Sequence, residues 1–192
     1  PCPLALLLRR SGELIKCARR SLVMFNFLIF PYDNMEEGDD RSVQEIFAPT
    51  SICFGCGPAN EEGLRIRSFR TEEGLEMVFN PLEEHQAFPG MINGGIIGTL
   101  LDCHGNWTAA IGLMDRSGIS EPPCTVTASY SIKLRKPTPF GVALRITGEI
   151  TSMDDDRAEV RMALYAEDEM CATGKGLFVA VAEGHPAFHR WS

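Results

Sequence analysis

The chain has 192 residues, 44% hydrophobic and 23% charged, which suits one globular domain with an appendage better than two domains. Its net charge of −8 excludes the broad basic field of a nucleic-acid-binding protein and leaves room only for local basic patches. The seven cysteines are odd in number and show no disulfide-framework spacing, so a reducing compartment and free thiols are expected.

Residues 1–31 carry Arg9, Arg10, Lys16, Arg19 and Arg20 against one acid, Glu13. The apolar stretch from Leu22 to Phe30 is interrupted by Asn26 and is shorter than the ~20 residues that span a bilayer, so no integral membrane span is expected. The segment reads as an organellar transit peptide, as a secretory signal without a clean small-x-small cleavage site, as an unstructured extension ahead of Met35, or as a helix of the domain. Localisation therefore stays open: cytoplasm, or chloroplast or mitochondrion if the segment is a transit peptide. Residues 33–47 hold six acids and one base and read as a solvated linker ending in a short helical turn. The expected division is an extension over 1–47, a compact domain over 48–183 and a patternless tail over 184–192.

Within the domain, Leu64–Phe69 and Leu75–Asn80 read as two strands joined by a hairpin over Arg70–Gly74. Pro81–Gly90 is a loop, broken by Pro81, Pro89 and Gly90. Ile96, Ile97, Leu100, Leu101, His104, Trp107, Thr108 and Ile111 then follow helical spacing, with Asn93 as N-cap and the helix running to Met114. The period switches to two over Thr125–Arg135, where Val126, Ala128, Tyr130, Ile132 and Leu134 share one face and Thr125, Thr127, Ser129, Ser131, Lys133 and Arg135 the other. Val142–Met153, Ala158–Ala166 and Cys171–Ala182 are three more strands, joined by acidic turns. Two strands, one long helix and four strands predict an α+β fold, an antiparallel sheet wrapped around one central helix.

That helix breaks local rules. Its first half, INGGIIGTLLDCHG, carries glycines that cost roughly 1 kcal/mol each against alanine and an acid, Asp102, in the middle. Gly95, Gly98, Thr99, Gly105 and Asn106 surround Asp102 at helical spacing and make a small, polar face. The helix start offers N–H groups at Gly94, Gly95 and Ile96 with the positive end of the dipole, which suits an oxyanion. A carboxylate two turns away can act as general base or nucleophile on a carbonyl held there. The same pattern also suits an acid on a helix that packs closely through glycine.

The stretch HQAFPGMINGGIIGTLLD, His85 to Asp102, resembles the loop-and-helix segment of hotdog-fold acyl-CoA thioesterases of the PaaI-like, hydroxybenzoyl-CoA thioesterase-type family. TASYSIKLRKPTP, Thr127 to Pro139, resembles the strand that follows the helix there, and CFGCGPANEEGLRIR, Cys53 to Arg67, the segment that leads into the domain. The likeness spans roughly residues 50–182. It implies a hotdog fold, a homodimer or homotetramer with its site between subunits, and hydrolysis of an acyl-CoA or related thioester without cofactor or metal. It also implies roles: Asp102 as base or nucleophile, Thr127 orienting the attacking water, commonly across a dimer interface, and the Gly95 N–H polarising the thioester carbonyl. Where many relatives have His-Gly-Gly, this chain has Asn93, which can donate a hydrogen bond but does not titrate near neutrality. A non-catalytic acyl-CoA-binding module and a hydratase or dehydratase, with His85 or His104 as the imidazole, are the alternatives.

Around that centre, His85 and Gly94 are candidate substrate contacts. Lys133 and Arg135, with Lys136, are candidates for the phosphates of coenzyme A. Cys53 and Cys56 form a lone CxxC that would need two further ligands to hold zinc; Cys103 and His104 have no sequence relation to it, and structural thiols are expected.

Overall fold

The computed structural model describes residues 40–191; the expectations for the basic segment 1–31 lie outside the described residues. Six antiparallel strands form one sheet: β1 (Phe69–Thr71), β2 (Gly74–Phe79), β5 (Thr125–Leu134), β6 (Leu144–Met153), β7 (Arg157–Ala166) and β8 (Glu169–Ala180), in the order β1-β2-β6-β7-β8-β5. A short ribbon of β3 (Gln86–Phe88) and β4 (Met91–Ile92) precedes the long helix α2 (Gly94–Ser117). Strand β7 shows why the sheet has one dry face: Ala158, Val160, Met162 and Leu164 are buried, while the residues between them are more exposed. The sheet curls around α2, which is buried on nearly every side from Ile97 to Met114. This is the expected α+β architecture.

Polar contacts set the ends of α2. Asn93 caps its start, and Gly118, in the left-handed region at φ 65°, ends it. Near that end Arg70 of β1 makes a two-pronged bond to Asp115, at 2.6 and 2.9 Å.

Three expectations change. Leu64–Ser68 is not a sheet strand. Its inward and outward positions alternate, but Arg65 adopts φ 49°, and Leu64 and Ile66 donate to Phe54 and Gly55 of the cysteine loop. Second, the packed structure begins ahead of Ala48 and runs past Glu183. Helix α1 (Val43–Phe47) is closed by a Ser42–Glu45 capping box and buries Val43 and Gln44. In the tail, Trp191 is buried and stacks on Trp107 at 4.4 Å between ring centroids. Third, β5 is not a simple alternating strand: it carries a bulge between Thr127 and Ser129.

One buried chain of hydrogen bonds joins α1, the Leu64–Ser68 segment, α2 and β2. Gln44 Nε2 donates to Ser68 Oγ at 3.0 Å; Ser68 Oγ meets His104 Nδ1 at 2.9 Å; His104 Nε2 meets the Leu75 carbonyl at 3.1 Å. A carbonyl only accepts, so Nε2 carries the proton and Nδ1 accepts from the serine hydroxyl. Burial pushes the His104 pKa down to about 4 from 6.5, although the Leu75 carbonyl opposes the shift. Below the ordinary histidine range the unfolded chain therefore binds a proton that the folded chain refuses, and stability falls with pH. We expect a loss of about 2 kcal/mol between about pH 7.5 and about pH 5, read from urea unfolding. His104→Gln should flatten that slope, and a wild-type curve already flat over the interval would contradict the assignment.

Candidate active site

The start of α2 is assembled from its cap outward. Asn93 N–H donates to the His85 carbonyl at 2.9 Å, and Asn93 Oδ1 accepts the Gly95 N–H at 2.7 Å. Asn93, Gly94 and Gly95 are exposed, so this positive helix end is open to solvent. The Gly95 N–H assigned to the substrate carbonyl is thus held by the asparagine in this state. His85 itself is buried against Phe79, with Nδ1 accepting the Leu82 N–H at 2.9 Å. Its main visible role is to position the cap through its carbonyl.

Two turns along α2, about 10 Å in rise, Thr127 Oγ1 donates to Asp102 Oδ1 at 2.8 Å. The pair forms within one chain. The bulge makes the pairing possible. Thr127 faces Phe178 in the ladder and Ser129 faces Leu177, so Ala128 is the extra residue. Without it, Thr127 would share the outer face with Ser131 and Lys133, as plain alternation predicts. With it, Thr127 turns toward α2 alongside Tyr130 and Ile132. One turn further, Thr125 Oγ1 donates to Asn106 Oδ1 at 2.9 Å. Burial raises the Asp102 carboxyl above the usual range, against the lowering effects of the Thr127 bond and of Arg190; the nearby Cys53 adds to the rise. A half-buried carboxylate with a raised pKa takes up a proton more readily than a free one.

The same parity places the basic residues. Lys133 pairs with Thr173, and Arg135 Nε donates to Thr173 Oγ1 at 3.1 Å, so both lie on the outer face of the sheet, away from Asp102. Toward the helix, Leu134 lies beside Gly94, and Ile132 and Tyr130 beside Gly98. These side chains therefore cover the glycine face of α2 over the two turns that precede Asp102.

Sequence reading missed one cluster. Cys103 comes to Cys53 and Cys56, with all three sulfurs within 4.8 Å of one another. The five described cysteines are all free. Nothing in their spacing announces the contact, because fifty residues of chain separate the loop from the helix; the single hint was that Cys103 follows Asp102.

No family model and no curated protein matches the chain. Among solved structures it is similar to a thioesterase superfamily protein from Shewanella loihica, 33% identical over 65% of this chain and 98% of that one, with a TM-score of 0.53. The chain belongs to the thioesterase superfamily. A Bacillus halodurans protein solved with CoA is 26% identical, covering 62% of this chain and 76% of its own, with a TM-score of 0.50. An uncharacterised Pyrococcus horikoshii protein, 20% identical over 70% of this chain and 96% of its own with a TM-score of 0.52, shares the fold. The architecture of this superfamily member is the hotdog fold. Among its described residues no helix is long and apolar enough to cross a membrane.

The glycines of α2 divide into two kinds. A β-carbon at Gly98 would sit 3.5 Å from Ile132 Cδ1, an ordinary contact, whereas one at Gly105 would lie 2.8 Å from Met162 Sδ and 2.9 Å from Phe178 Cζ. Gly105→Ala should cost about 1–3 kcal/mol, while Gly98→Ala should be neutral or stabilise by up to about 1 kcal/mol. Urea unfolding midpoints of the two variants check the ranking, and the reverse order would refute it.

Proposed function

We propose that this chain hydrolyses an acyl-CoA thioester to a carboxylate and free CoA, as a PaaI-like thioesterase. The observation that carries the reading is the Asp102–Thr127 pair, set beside the glycine face and two turns from the open start of α2. The CoA found in the Bacillus halodurans relative supports the choice of thiol.

The thioester carbonyl oxygen enters at the helix start and takes over the Gly95 N–H. Asn93 Oδ1 gives way, leaving its amide Nδ2–H to donate to the same oxygen. Asp102 removes a proton from a water held by the Thr127 hydroxyl, and the water oxygen attacks the carbonyl carbon. The tetrahedral intermediate collapses with cleavage of the C–S bond, and the CoA sulfur leaves as thiolate and takes up a proton. Neither metal nor redox cofactor enters this balance.

The exposed edge of β5 supports a homodimer. Tyr130 and Leu134 are 50% and 59% exposed on β5, which stands at the edge of the sheet among the described residues, beside the proposed site. A second subunit paired there would cover them. The hydratase alternative loses support because His104, two residues beyond Asp102 in sequence, is bonded at both nitrogens on the far side of the helix.

Thiol release from short, medium, long and aromatic acyl-CoAs tests the reading. Asp102→Asn should lower kcat/KM by about 10²–10⁴-fold with the fold intact. Thr127→Val should lower kcat by about 10–100-fold, the worth of one hydrogen bond to a charged group, and Thr127→Ser should restore most of it. Saturable acyl-CoA binding without turnover by the wild type would leave a binding module instead.

A further inference from the structure

The turn Cys53–Gly57 lies against α2, and only a glycine at position 55 lets it come so close: a β-carbon there would overlap Cys103 Sγ and crowd Thr99 Cγ2. Cys53 Sγ stands 4.0 Å from Cys103 Sγ, and the three sulfurs all lie within 4.8 Å of one another. Sulfurs bound to one tetrahedral zinc at about 2.3 Å stand about 3.8 Å apart, so shifts of about 1 Å or less close the set on an ion.

The surroundings are those of metal-bound thiolates. Gly57 N–H donates to the Cys53 carbonyl at 2.8 Å and tightens the turn. Trp107 Nε1–H donates to Cys56 Sγ at 3.3 Å. Donors of this kind hold ligand sulfurs in place and spread their charge. Cys56 and Cys103 are buried, whereas Cys53 is half-exposed and gives the cluster an opening to solvent.

We propose that Cys53, Cys56 and Cys103 bind one divalent, thiophilic cation of the zinc class, with the fourth position filled by water or another small donor from the Cys53 side. Each metal–sulfur bond replaces an S–H bond and releases its proton to solvent; no electron is transferred. The ion ties the 53–57 turn to α2 one residue from Asp102. It takes no part in the hydrolysis above, so the site stands or falls independently of that reading.

The test is titration of the full, reduced, metal-stripped chain with Co²⁺. Thiolate-to-cobalt charge-transfer absorbance should saturate at one ion per chain and vanish when Zn²⁺ displaces it. Cys53→Ser, checked for folding by circular dichroism, should weaken binding by at least about 10–100-fold, the cost of losing even an outer partner. Cys124→Ser, outside the cluster, should leave it unchanged. Bound Zn²⁺ should also shield three thiols, located at 53, 56 and 103 by peptide mass analysis, from alkylation in the wild type; this readout needs no variant to fold. The proposal is overturned if the reduced wild type gives no charge-transfer band, or if the band persists unchanged in Cys53→Ser. Failure of Zn²⁺ to shield the thiols, or a Cys53–Cys103 disulfide in place of metal binding, would also overturn it.

Discussion

The seam between α2 and β5 holds two polar rungs one helical turn apart, Thr127 on Asp102 and Thr125 on Asn106. Elsewhere the sheet offers α2 mainly apolar side chains, and an acid or amide buried there without a partner would cost several kcal/mol. The seam therefore fixes the rotation of the helix about its axis. A turn of one residue, about 100°, would send Asp102 toward the direction now taken by Leu101 or Cys103, both buried.

Other restraints act along the same helix. The Asn93 cap holds its start, the Arg70–Asp115 pair its far end, and His104 bonds on the opposite side to Ser68 and Leu75. A helix anchored on two sides and at both ends can present a carboxylate at a set distance from its own N-terminus. Such pre-organisation is what a positioned base requires. The tail joins in, because Arg190 donates to the Thr125 carbonyl and Trp191 stacks on the helix through Trp107.

Hydrophobic period made the architecture legible in the sequence: the 3.6 repeat from Ile96 to Ile111 and the alternation in Ala158–Ala166 both survive in the structure. Asp102 stood out because it broke that pattern among glycines. What the sequence hid was non-local or of odd parity. The Leu64–Ser68 segment alternates like a strand, but one left-handed residue, Arg65, and a loop partner keep it out of the sheet. Lys133 and Arg135 sat beside Thr127 in the pattern, and a single extra residue separated them from it. Trp191 carried no periodic neighbours, and the Cys103 contact depends on a fold that only long-range packing creates.

The bulge at Ala128 gives β5 two independent halves. Ahead of it, odd-numbered positions face the helix; beyond it, even-numbered positions do. The polar half, with Thr125 and Thr127, and the apolar half, with Tyr130, Ile132 and Leu134, are thus out of phase along one continuous strand. Changes in the apolar second half can accumulate without disturbing the hydroxyl that meets Asp102. One strand can in this way keep a fixed hydroxyl at one end while its apolar surface varies at the other.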